Sequence, residues 1–128
     1  MTLNVEKQLK KQLKRTVQQL AVKCGVPTPE IEFCRDLCDP KDVSIDLYGQ
    51  YDPFMNVIRL SLSSPCPRKI AIHEFIHYFL MWIPLRDGKT ERDVEELTES
   101  IMQQPAEANM ILSSFVRARE RRSLLLNF

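Results

Sequence analysis

An excess of charge of either sign is missing from this chain: 18 lysines and arginines stand against 17 aspartates and glutamates, leaving a net charge of +1. Composition therefore gives no footing to nucleic acid or an anionic membrane as a partner, and neither is expected. Long hydrophobic runs are missing too. The longest, Ile70 to Leu85, falls short of the roughly 20 residues that a spanning helix needs. Lys7, Lys10, Lys11, Lys14 and Arg15 cluster near the start, but no apolar segment of signal-peptide type follows them. A soluble, cytoplasmic protein is the expectation. There is no CxxC among the four cysteines, Cys24, Cys34, Cys38 and Cys66. Buried free thiols are the first reading of them. A structural zinc site of four thiolates, or one or two disulfides, are the others. No internal repeat is visible, and the 128 residues read as one domain with a modest core.

What the chain does have is one dense stretch, His73-Glu74-Phe75-Ile76-His77, an HExxH that uses both of its histidines. Residues four apart on a helix lie one above the other on the same face. His73 and His77 can then aim both imidazoles at one metal ion, with Glu74 close enough to reach a water on it. Zinc suits such a site, because it takes imidazole nitrogen and keeps a position open for water. Ile70, Ala71, Ile72, Phe75, Ile76, Tyr78, Phe79 and Leu80 make the surroundings apolar. Two histidines and a glutamate buried there without partners would be costly.

The rest of the chain reads in order. Val5, Leu9, Leu13, Val17, Leu20 and Cys24 recur at helical spacing, which predicts a helix over Asn4 to Cys24, stopped by Gly25, Pro27 and Pro29. Three short strands follow: Glu30 to Phe33, Val43 to Tyr48 and Asn56 to Leu62, with Gly49 to Met55 as a turn between the last two. They suggest a small, mostly antiparallel sheet. The motif helix should run from about Pro67 to Trp82. After a loop with Pro84 and Gly88, Thr90 is a plausible N-cap for a helix from Glu91 to about Gln104. Pro105 opens a last helix, and a basic stretch leads to the apolar end Ser123 to Phe128.

Catalytic zinc usually takes three protein ligands. With no third histidine, HExxHxxGxxH is excluded; Leu80 and Ile83 occupy its glycine and third-histidine positions. The third ligand must be carboxylate or thiolate, and the helix beginning at Glu91 is the obvious donor. Val94, Leu97, Thr98, Ile101 and Met102 define its buried face at 100° per residue. Glu96 points away from that face, and Glu99 lies beyond its margin. Glu95 borders it, with Glu91 on the same stripe. An antiparallel helix starting near Thr90 would put Glu95 opposite His77, so Glu95 is the first choice, Glu91 the second and Glu96 the third.

With these residues the chain resembles the gluzincin type of zincin metallopeptidase, which pairs HExxH with a glutamate from a following helix. The segment from Leu47-Tyr48-Gly49-Gln50-Tyr51 through Asn56-Val57-Ile58-Arg59-Leu60 to the motif is similar to the minimal, minigluzincin and selecase-like members, and more distantly to the ImmA/IrrE-like group. The resemblance implies an α+β zincin-like domain: backing helix, small sheet, active-site helix, glutamate helix and C-terminal helix. It implies one zinc ion, a peptide or protein substrate laid along a strand at the cleft, and latency with the chain covering its own cleft. The short chain departs from larger members, with no C-terminal subdomain expected to form a second wall. Peptide hydrolysis would use His73, His77 and Glu95 as ligands and Glu74 as general base. Tyr48, Tyr51 and Tyr78 are candidate oxyanion donors. The end of the chain, Ser123 to Phe128, is a candidate for self-inhibition or self-association. Two other classes stay open: a zinc-bearing regulatory or peptide-binding module without turnover, and a structural zinc protein stabilised by its cysteines.

Overall fold

A computed structural model describes residues 3–35, 37–39, 42–82 and 91–126, with side chains described only from 4 to 35, from 47 to 82 and from 91 to 118. Helix α1 spans Leu3–Cys24. Its Leu13, Val17, Leu20 and Ala21 are buried, a stripe at three- and four-residue steps that faces the core while the lysines face out. Gly25 ends it at φ 69°. Val26 N–H donates to Ala21 O at 3.0 Å and Gly25 N–H to Val22 O at 3.2 Å. Those two bonds form a Schellman cap, which needs a left-handed residue where Gly25 stands.

Five strands follow: β1 (Glu30–Cys34), β2 (Leu37–Asp39), β3 (Asp42–Leu47), β4 (Gly49–Asp52) and β5 (Val57–Ser61). They form a three-stranded sheet in the order β1-β5-β4 and a separate two-stranded ribbon of β2 and β3. β5 runs parallel to β1 and antiparallel to β4, so the sheet is mixed. This corrects the mostly antiparallel sheet expected from sequence. The segment expected as the second strand, Val43 to Tyr48, pairs instead with β2, and the strand beside β5 comes from the stretch read as a turn. The reason is physical: alternation marks a strand but carries no sign of direction or partner. Gly-Gln-Tyr-Asp has too little alternation to announce itself. It becomes a strand because a short turn returns the chain onto β5. In that turn Asp52 Oδ1 accepts from Phe54 N–H at 2.9 Å and Met55 N–H at 3.2 Å, and Asn56 takes φ 54°.

Helix α2 spans Pro67–Met81. Proline suits a first helical position, where no N–H is needed. Nine of its residues, from Ala71 to Leu80, are buried, as expected for a helix that is apolar all round. It packs against the sheet, α1 and α3 (Glu91–Gln103). Val94, Leu97, Thr98 and Ile101 of α3 point into the core. A 3-10 turn, Pro105–Glu107, leads into α4 (Ala108–Leu126), whose Ala108 and Leu112 complete one apolar cluster shared by all four helices and β5. The result is an α+β chain with four helices and a small mixed sheet among the described residues. No helix among them is long and apolar enough to cross a membrane. The predicted Thr90 cap, the loop with Pro84 and Gly88, and the side chains of Ser123 to Phe128 lie outside the described residues.

Candidate metal centre

α2 and α3 run antiparallel along one flank of the core, and side chains at four-residue steps meet across them. Lys69 Nζ contacts Glu99 Oε1 at 2.5 Å. One turn on, His73 Nδ1 contacts Glu95 Oε1 at 2.9 Å. One turn further, Glu91 spans both imidazoles, 2.6 Å from His73 Nε2 through Oε1 and 3.0 Å from His77 Nε2 through Oε2. The two Nε2 atoms stand 3.3 Å apart. Helix periodicity stacks the histidines as expected. The register between the helices differs by one turn from the expected one. Glu95 lies opposite His73, not His77, and Glu91, the second choice, faces the pair. Side chains also lean toward the start of their own helix, which brings Glu91 back over His77 from the first position of α3. Glu96 faces outward and pairs with Arg92 at 3.3 Å.

Among the described residues, the group of His, Cys, Asp or Glu side chains close enough to share an ion is His73, His77 and Glu91. Its chemistry fits zinc. Two nitrogens bonded at ~2.0–2.1 Å to a tetrahedral ion stand about 3.3 Å apart, which is the separation found between the two Nε2 atoms. The carboxylate adds a hard oxygen within reach of both. Glu95 on Nδ1 of His73 leaves that ring's Nε2 as the nitrogen turned to the cluster, the arrangement by which a carboxylate orients a ligating imidazole. Burial, the largest influence, holds His77 below the ordinary histidine value, favouring the neutral ring that binds metal.

Glu74 is 8% exposed. Burial pushes its carboxyl up to about 8, and the Glu91 charge adds to the effect. The Tyr51 backbone N–H donates to it and opposes the rise. A cation in the cluster would favour its charged form. Of the three tyrosines, Tyr78 is fully buried and its hydroxyl donates to Pro27 O. The Tyr51 hydroxyl donates to Asn56 Oδ1 at 2.8 Å, and Tyr48 is exposed. Cys24, Cys34 and Cys66 are free thiols. Burial holds Cys24 up at about 11; the side chain of Cys38 lies outside the described residues.

Two neighbours of Glu74 escaped the sequence reading. They are Gly49, whose position would admit no side chain beside Ile70 and Glu74, and the Tyr51 amide. A backbone donor leaves no trace in sequence. Gly49 left a faint one, as one of only three glycines. Compared with protein-family models, with curated proteins and with solved structures, the chain finds no match in any of the three.

Proposed function

We propose that this chain is a metal-dependent peptidase in which His73, His77 and Glu91 hold one zinc ion and Glu74 is the general base. The observation that carries this reading is the convergence of two imidazole nitrogens and a carboxylate, with a buried carboxylate next to the first of them in the chain. A bound zinc ion supplies a water of lowered pKa and polarises the carbonyl under attack. The protein's own groups do the rest. Glu95 holds His73 by its Nδ1. The Glu74 carboxylate takes the proton from the attacking water and delivers it to the leaving nitrogen. The apolar packing of Ile72, Phe75 and Ile76, all buried, keeps fixed the helix that carries His73, Glu74 and His77. β4 is an outer strand of the sheet, and an extended peptide can add to such an edge by backbone hydrogen bonds.

Glu74→Gln should lower peptide turnover by roughly 10²–10⁴-fold and leave metal content unchanged. Turnover equal to that of the wild type would remove Glu74 from the mechanism.

A second reading, a peptide-binding module without turnover, is favoured by one observation. The hydroxyls of Tyr51 and Tyr78 are engaged by Asn56 and Pro27, which leaves the oxyanion without either of them as a donor. Steady-state peptide hydrolysis by the zinc-loaded chain, abolished by a chelator, separates the two readings.

A further inference from the structure

β4 lies closer to α2 than any side chain would allow. A Cβ built at Gly49 would stand 2.4 Å from Ile70 Cγ2, 3.0 Å from Glu74 Cγ and 3.5 Å from Glu74 Oε1. The first approach is one that real Cβ atoms essentially never make, and the second is tighter than most. The backbone there is not left-handed, so this glycine answers a need for space. β4 rests directly on the helix at the residue that carries the buried carboxylate.

Strand pairing decides which backbone groups of β4 face that carboxylate. Ser61 N–H donates to Tyr48 O at 2.8 Å, and the register continues Gly49–Leu60, Gln50–Arg59, Tyr51–Ile58. Bonded and non-bonded pairs alternate in an antiparallel ladder. Gln50 therefore turns its N–H and C=O to β5, while Gly49 and Tyr51 turn theirs to the open edge. Among the described residues the Tyr51 N–H meets no further strand there, and its influence on the Glu74 carboxyl favours the charged form. The far end of the strand is tied independently. Arg59 holds Asp52 at 2.9 Å, and the Tyr51 hydroxyl donates to Asn56.

We propose that Gly49 and the Tyr51 backbone N–H are positioning groups for Glu74: the glycine lets β4 lie on the helix, and the amide fixes the carboxylate beside the imidazole pair. This rests on the reading of Glu74 as the base. A buried carboxylate needs a donor, and one backbone amide supplies it without filling the acceptor capacity of two oxygens. The remaining capacity is what a proton in transit uses. Residue 49 then has to be glycine for the sake of residue 74 as well as for packing.

Because two side chains touch the glycine, fold and position can be separated. Gly49→Ala alone meets both. Ile70→Ala removes the severe contact, so Gly49→Ala/Ile70→Ala leaves the Glu74 contact, with Ile70→Ala as its control. The readouts are hydrogen exchange of the Tyr51 amide in the metal-free chain and kcat, KM and zinc content in the loaded one. The wild-type Tyr51 amide should be protected although it faces an open edge. It should exchange at least about tenfold faster in Glu74→Met, which lacks an acceptor, while the Gln50 amide stays unchanged. The double variant should lose the same protection. Its kcat should fall about 10- to 100-fold below that of Ile70→Ala at similar KM and zinc content, because a small misplacement of a reacting group costs rate rather than binding. Free exchange of the wild-type Tyr51 amide, or a double variant with the kcat of its control, overturns the inference. If the double variant fails to fold, the comparison of Glu74→Met with wild type decides. Failure of the peptidase reading looks different: no turnover by a zinc-loaded wild type, whatever the Tyr51 amide does.

Discussion

Glu91 and Glu95 are one helical turn apart and do different things to the same imidazole. Glu91 meets Nε2 of His73 and also reaches His77; Glu95 meets Nδ1 of His73 alone. On the proposed reading the pair is a ligand and an orienting group, so their removal should not be equivalent. Glu91→Gln deletes a ligand. Glu95→Gln keeps the ligand set and weakens the hold on one ring, which should cost about 10- to 100-fold in zinc affinity. Competition against a chelator of known affinity measures it, and an unchanged affinity would make Glu95 a bystander. Sequence alone could select this helix and this stripe of glutamates, because periodicity fixes which residues share a face. It could not select between neighbours on the stripe. That choice depends on how far α3 slides along α2, and an error of one turn exchanges the two roles.

The β4–β5 hairpin illustrates the opposite balance at the scale of elements. Helix limits follow from apolar spacing, Gly25 and the prolines, and the observed α1, α2 and α3 lie within a residue or so of the expected spans. Strand partners do not follow, because Glu30–Cys34 would alternate equally well beside either neighbour and in either direction. The hairpin is held by polar chemistry that a hydrophobic pattern does not record. Arg59 pairs with Asp52 at 2.9 Å and with Glu32 at 3.1 Å, linking all three strands of the sheet. The hydrogen bond from Arg59 holds the Asp52 carboxyl below the usual carboxylate range, helped by the Met55 and Phe54 amides. A folded-state value below the unfolded one stabilises above the unfolded pKa and loses that contribution as pH falls through the folded value. Asp52→Asn should therefore be less stable than wild type at neutral pH. The gap should close as pH drops below about 3.9, the ordinary aspartate value. Urea midpoints of both proteins against pH test this, and a gap that persists undiminished in acid would show that the charge is not its source.

For the whole molecule, the cluster joins two helices that also meet through the core and through the Lys69–Glu99 and His73–Glu95 pairs. Two of its members lie on α2 and one on α3, so an ion held by all three ties the helices together only in the folded chain. Ligands that bind the folded state alone stabilise it by about 2.7 kcal/mol at a hundredfold excess over Kd. Zinc should raise the thermal midpoint, and a chelator should return it to the metal-free value. The apolar cluster shared by α1, β5, α2, α3 and α4 includes none of His73, His77 and Glu91, so the metal-free chain should remain folded with a lower midpoint. A midpoint indifferent to zinc would mean that the ion does not bridge the helices.

The most direct measurement is zinc content per chain after loading and desalting, for wild type, His77→Ala, Glu91→Ala, Glu95→Gln and a variant lacking all four cysteines. One zinc per wild-type chain is expected. It should be lost in His77→Ala and Glu91→Ala, retained more weakly in Glu95→Gln, and unaffected by removal of the thiols. A wild type that holds no zinc, or zinc that leaves with the cysteines and stays in Glu91→Ala, contradicts a centre built on His73, His77 and Glu91.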